Sequence, residues 1–290
     1  MAEPLKVGIP RTLYFYTYFP LWKTFFEELG LEVVLSPPTN KQIMDDGVKE
    51  TVTDACIPIK IFHGHVMALK NKVDYIFIPR LVSADGNAVF CPKFLGLPDM
   101  VKNSLDGLPP VIVENLNLKL RRFDFHRFFL RLGKHFTNNI WRIWWAYLKG
   151  LYRWRRYRSQ LLKGYFPLTT AGKDSEIVMS KLNQGGKDKI KLAVLAYPYV
   201  TFDSFMSVNL LKSLEDIGVE CYISDTLSKK EMKKARKKLP HDLFWYYSNQ
   251  VAWACLHFLS NKNVDGIIHV TAFGCGPDSM VDKLVELEAK

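Results

Sequence analysis

Between Thr53 and Val66 the chain reads TDACIPIKIFHGHV. A thiol, an ammonium and two imidazoles stand close together in otherwise apolar sequence. Thiolate and imidazole are the usual ligands of zinc, and thiolate is the ligand of iron–sulfur clusters. Helical spacing limits what the histidines can do. His63 and His65 are two residues apart, so they lie on different helix faces and cannot both reach one metal. Lys60 and His63 are three apart and share a face, which suits a phosphate or carboxylate. Cys56 comes just before the helical pattern, where free N–H groups and the helix dipole favour a thiolate. The competing reading is a helix start whose polar residues only pack or stay solvated.

Two other cysteines have comparable positions. Cys91 follows the apolar run VDYIFIP after a loop and precedes PKFLGLPD. Cys275 follows DGIIHVTAF, in GCGPDS, just before the final helical pattern. Both lie in loops beyond the carboxyl end of a strand, the edge where open α/β sheets bind ligands. Three converging thiolates would hold an iron–sulfur cluster or zinc, with one position open to water, a substrate oxygen or His63. Small buried residues are the alternative, and no CxxC pair supports a local metal site. Cys221, inside VECYIS, and Cys255, inside QVAWACLHFL, read as core residues. The cysteine number is odd and no secretory leader is expected, which argues against a disulfide framework and for a cytoplasmic protein. Arg11 ends the first strand and is suited to an anionic ligand. Neither GxGxxG nor GxxxxGK[ST] occurs, so nucleotide hydrolysis is not expected of this chain.

The elements that must carry these residues alternate. KVGI, EVVLS, DYIFIP and PPVIVENL read as strands, separated by the helical patterns TLYFYTYFPLWKTFFEELG, NKQIMDDGVKETV, the stretch after Cys56, and PDMVKNSL. Asn40 is the expected cap of the second helix. Pro20 is expected to kink or shorten the first. The later part alternates in the same way. Strand KIKLAVLAYP is followed by helix SFMSVNLLKSLEDIG, strand VECYIS, helices SKKEMKKARKKL and LFWYYSNQVAWACLHFLSN, strand VDGIIHVTAF and helix PDSMVDKLVELEAK. Each part has a glycine between its first helix and the next strand, and a Val-Asp opening its third strand pattern. The fold class is therefore α/β: two lobes with parallel sheets, with the order of elements suggesting internal duplication. Their expected extents are 1–118 and 189–290, joined by a basic aromatic helical segment and linker over 119–188.

The net charge of +11 belongs to that connecting segment. Residues 119–163 hold 13 Lys/Arg and one acid, Asp124, so the remainder sums to −1. Three readings compete here. Helices can pack their aromatic side and leave arginine in water. The segment can dock an acidic partner protein or acidic lipid. It can bind nucleic acid, the weakest of the three without a recognised nucleic-acid fold. No apolar run reaches the ~20 residues of a transmembrane helix. TTAGKDSEIVMSKLNQGGKDK reads as a linker.

Taken together, KVGIPRTLYFYTYFPLWKTFFEELGLEVVLSPPTNKQI, DACIPIKIFHGHV, DYIFIPR, CPKFLGLPDMV and VTAFGCGPDS resemble the acyl-CoA dehydratase activase-related proteins. These are grouped with the 2-hydroxyacyl-CoA dehydratases and the double-cubane cluster proteins. The resemblance covers most of residues 6–116 and 190–281 and is weak over 119–188. It implies two Rossmann-like lobes with a cleft between them and an iron–sulfur cluster held by Cys56, Cys91 and Cys275. The cluster implied is of 4Fe-4S type, or a double cubane if further ligands come from elsewhere. It also implies electrons from a separate ATP-dependent activase, and a second subunit or homodimer.

The function so implied is that of an oxygen-sensitive iron–sulfur protein of anaerobic metabolism. It would accept low-potential electrons for reduction or dehydration of a small, CoA-linked substrate, as a component of a lyase or an ATP-dependent reductase. His63, Lys60, Lys93 and Arg11 would line the centre or face the substrate. The alternative is a non-catalytic scaffold or regulatory subunit that binds an acidic partner through residues 119–163. The family pattern continues past the last helix, so the second lobe is expected either to lack closing elements or to have them supplied by another chain.

Overall fold

The computed structural model describes residues 3–120, 123–168, 178–182, 189–261 and 263–288. The chain divides into two compact units, the first running to Tyr157 and the second from Arg158. The first contains β1 (Lys6–Ile9), α1 (Phe15–Glu28), β2 (Glu32–Leu35), α2 (Lys41–Lys49), α3 (Ile57–Leu69), β3 (Tyr75–Phe77), β4 (Arg80–Ser83), α4 (Pro92–Leu95), α5 (Leu97–Ser104), β5 (Val111–Ile112), β6 (Asn115–Asn117) and α6 (Asp124–Lys134). Helix α7 (Ile140–Leu162) carries the chain into the second unit. There follow β7 (Tyr165–Leu168), β8 (Val178–Lys181), β9 (Lys191–Leu195), α8 (Pro198–Thr201), α9 (Leu210–Asp216), β10 (Glu220–Ile223), α10 (Lys229–Arg236), α11 (Tyr246–Asn261), β11 (Gly266–His269) and α12 (Gly276–Glu288).

The fold is α/β, as expected. The main sheet of the first unit is parallel, in the order β2-β1-β3-β5, and that of the second is parallel, in the order β10-β9-β11. In each unit the first strand lies between the next two. The Val-Asp pairs explain part of the likeness. Asp74 accepts from the Lys6 N–H at 2.7 Å, and its own N–H donates to Lys6 O at 3.0 Å. Asp265 makes the same two bonds to Lys191, at 2.8 and 2.7 Å. One short side chain thus fixes the register of third strand against first in both units. The glycine stops also match. Gly30 and Gly218 take φ of +81° and +83°, and the next N–H closes back on Phe26 O and Leu214 O respectively. Only glycine adopts that conformation without strain.

PPVIVENL forms two short strands rather than one. β5 pairs with β3, and β6 pairs in parallel with β4. Pro79 stands between β3 and β4 and has no N–H to give the ladder, so both strands of the pair break at the same level. SFMSVNLLKSLEDIG is helical only from Leu210 to Asp216. Asp203 Oδ1 accepts from the Phe205 and Met206 N–H groups, and Val208 and Asn209 turn left-handed at φ 52° and 54°. A local carboxylate turn therefore outcompetes the first helical turn. Part of the expected linker is structured: Val178–Lys181 forms β8, antiparallel to β7. The rest of that linker, 169–177 and 183–188, lies outside the described residues.

Pro20 neither breaks nor shortens α1, which runs through it from Phe15 to Glu28. A helical proline leaves the carbonyl four residues back without its donor. Here that carbonyl, Tyr16 O, accepts from the Tyr157 hydroxyl at 2.7 Å. The adjacent Thr17 O accepts from Trp154 Nε1 at 2.8 Å. Both donors lie on α7, so the defect in α1 becomes the place where α7 attaches. Further along, Gly150 lies so close to Leu21 that a Cβ would meet Leu21 O at 2.8 Å. Tyr147 packs its ring on Phe129 of α6, with centroids 5.0 Å apart.

The basic segment is thus two helices with a packed side. Arg131 bonds Glu114 at 2.9 Å and Asp124 at 3.3 Å, pinning α6 beside β6. Not all of its aromatics are buried, however: Trp141, Trp145 and Tyr152 project outward. Among the described residues no helix is long and apolar enough to cross a membrane.

Candidate functional site

The expected cysteines occupy one kind of position. Cys56 is the residue before α3, with φ −66° and ψ 155°, and Pro58 is in the first turn. Cys91 is the residue before α4, with φ −64° and ψ 157°, and Pro92 opens that helix. Cys275 precedes α12, and its carbonyl accepts from the Ser279 N–H at 3.1 Å. Proline fits the first turn because it has no N–H to leave unsatisfied there. The remaining N–H groups at such a position turn toward the residue before the helix.

In the first unit Cys56 and Cys91 are near enough to influence one another. Burial pushes both thiols up. At Cys56 the Ile59 amide opposes burial most, followed by the charge of Lys93. At Cys91 the Phe94 amide opposes it, the Cys56 thiol adds to it, and Lys93 again favours the thiolate. Lys93 is held in place: its ammonium donates to Asp54 O, just before Cys56. One cation on α4 therefore serves both thiols and ties the two helix starts together. Neither cysteine is paired in a disulfide.

The placement of α3 is itself tightly set. Its Gly64 faces Ile43 O of α2, and Gly47 of α2 faces Lys60 O. A Cβ at either glycine would lie 1.8 Å from the facing oxygen. The two helices touch backbone to backbone, which fixes the depth at which Cys56 is delivered.

His65 is fully buried. Its Nδ1 meets Ser36 Oγ at 2.8 Å and its Nε2 meets Thr39 Oγ1 at 3.0 Å. With both nitrogens engaged, it locks α3 to the end of β2 rather than facing a metal. Burial, then the charge of Arg11, pushes its pKa down to about 3. His63 is also fully buried; Nδ1 meets Ile59 O at 2.8 Å, while Nε2 has no hydrogen-bond partner among the described residues. Lys60 and His63 are each engaged with backbone of their own neighbourhood. Lys60 donates back to Thr53 O at 3.0 Å, on the exposed side. Arg11 stands at the carboxyl end of β1 as expected, but is only 6% exposed, and its N–H donates to Ser36 Oγ at 2.8 Å. Burial lowers its pKa.

Ser36, Thr39 and Tyr14 were not singled out from sequence. Ser36 ends strand EVVLS, so the carboxyl-edge rule applied to Cys91 points to it too. Tyr14 packs edge-on to Phe62 of α3 and Phe94 of α4, joining the two helices that begin at Cys56 and Cys91. Cys221 and Cys255 are core residues, with thiols pushed up to about 11 by burial.

Among the described residues no three His, Cys, Asp or Glu side chains gather into a group that could hold a metal ion. What the first unit provides is a pair of thiols with amide donors and a shared lysine. Two thiols are soft ligands, and a cluster held here would need further ligands beyond this pair. The sequence pattern of the CoA enzyme activase uncharacterised domain (DUF2229) matches residues 6–227. No curated protein matches the chain.

Proposed function

Since the chain belongs to the CoA enzyme activase uncharacterised-domain family, we propose that it is the iron–sulfur component of a CoA-related enzyme system, with Cys56 and Cys91 as cluster ligands in the first unit. The observation that supports this reading is the pairing of the two thiols, in the same helix-start conformation, under the charge of Lys93. Cys275 stands before α12 in a comparable way and is the ligand candidate of the second unit. A cluster of this kind supplies one-electron transfer at low potential. The chain's own residues do the rest. The Ile59 and Phe94 amides favour the thiolate forms. Lys93 offsets negative charge at both sulfurs. Tyr14, Phe62 and Phe94 are buried and pack edge-on, which holds α3 and α4 together behind the two thiols.

In this reading the electron donor is a separate ATP-dependent activase, as the resemblance to the activase-related proteins implies. The reaction served is reduction or dehydration of a small CoA-linked substrate. Protein purified without oxygen is expected to contain iron and acid-labile sulfide, and to give an electron paramagnetic resonance signal after one-electron reduction. Iron-free protein after anaerobic reconstitution would overturn the proposal.

A further inference from the structure

Helix α7 is apolar on two opposite sides. Its inner side, Ile143, Ala146, Tyr147, Gly150 and Tyr157, is buried against the first unit. At 3.6 residues per turn, Trp141, Trp145, Leu148 and Tyr152 fall within an arc of about 60° on the opposite side. They are 84%, 59%, 51% and 64% exposed. Arg142, Lys149, Arg153 and Arg156 run along one flank of this stripe. Lys149 lies over the Trp145 ring at 5.3 Å, while its ammonium pairs with Glu28 of α1 at 2.8 Å. No Asp or Glu occurs between Phe125 and Lys173. An exposed apolar stripe with one sign of charge beside it is what burying only the inner face of α7 would not require.

We propose that this outer face of α7 docks the protein on an anionic phospholipid surface. Indole and phenol rings favour the boundary between headgroups and acyl chains, and arginine beside them reaches the lipid phosphates. The whole stretch is basic, which complements a uniformly anionic layer rather than a patterned protein surface. Trp141 and Trp145 stand out as a ridge. A fluid interface admits projecting indoles, whereas a protein partner must offer preformed pockets for them. Pairing with a second copy through the same face is opposed by charge, because each copy would bring a basic stretch that holds no acidic residue.

The test is cosedimentation of the full chain, purified anaerobically, with vesicles of phosphatidylcholine alone or mixed with phosphatidylglycerol. Binding is expected to the mixed vesicles. It should fall about tenfold or more on pure phosphatidylcholine, in Trp141→Ser/Trp145→Ser, and in Arg153→Gln/Arg156→Gln, as expected when several surface contacts are lost. Circular dichroism melting identifies variants that keep the fold. Quenching of wild-type tryptophan emission by brominated phospholipid gives a readout that needs no variant, and is expected to be strong in mixed vesicles. Three outcomes would overturn the proposal: no binding to mixed vesicles, unchanged binding by a folded variant, or capture by soluble polyglutamate without capture by vesicles. The last would assign the face to an acidic protein.

Discussion

Cys56 and Cys91 hold the same backbone conformation before two different helices, at φ/ψ of −66°/155° and −64°/157°. Lys93, two residues after one of them, bonds the carbonyl of Asp54, two residues before the other. Each thiol is thus delivered by its own helix, and a single lysine connects the two deliveries.

The depth of Cys56 depends on the crossing of α2 and α3. Gly64→Ala would set a methyl 1.8 Å from Ile43 O. Overpacking usually costs about 1–3 kcal/mol, and here backbone faces backbone, so a loss at or above the upper end is expected in urea unfolding. Gly96→Ala, whose added Cβ would make only ordinary contacts of 3.5 Å or more, should change stability much less.

The Pro20 defect and α7 are coupled. Tyr157→Phe removes the hydroxyl that donates to Tyr16 O and should cost about 0.5–1.5 kcal/mol, the usual net contribution of one hydrogen bond. Pro20→Ala supplies a helical N–H to the same carbonyl. In the Pro20→Ala background Tyr157→Phe should therefore cost measurably less, and a double-mutant cycle by chemical denaturation reads the difference.

His65 makes the fold sensitive to acid. Its pKa is about 3 in the native state, against 6.5 for an unperturbed imidazole. Between those values the unfolded chain binds a proton that the native chain does not, so stability falls as pH drops through that window. The slope from this residue approaches about 1.4 kcal/mol per pH unit. Above about pH 6.5 the contribution is flat. His65→Gln, which can still meet Ser36 and Thr39, should lower stability at neutral pH but flatten its decline through the acid window, measured by urea midpoints.

Most strands and caps were legible because they depend on local chemistry. Asn40 caps α2, Ser228 and Glu231 close a capping box on α10, and the Val-Asp pairs mark the third strand of each unit. The α9 start was not legible, since one aspartate turn replaced a good helical pattern. Nor was the passage of α1 through Pro20, because the compensating donors come from 137 and 141 residues along the chain. For the site, the helix start at Cys56 was legible, whereas the sequence pattern places Cys91 in a loop: the four residues of α4, Pro92–Leu95, are too few to show a helical pattern. The pairing of Lys93 with Asp54 and of His65 with Ser36 and Thr39 was hidden, because those contacts arise only when strand ends and helix starts come together.

The measurement that bears most directly on the proposed role of the two thiols is iron and acid-labile sulfide per chain after anaerobic purification. It should be made on the wild type, Cys56→Ser, Cys91→Ser and the core control Cys221→Ser. Iron and sulfide are expected in the wild type and in Cys221→Ser, with both largely lost in Cys56→Ser and Cys91→Ser while circular dichroism stays unchanged. Full iron and sulfide in folded Cys56→Ser and Cys91→Ser would contradict the assignment of this pair as cluster ligands.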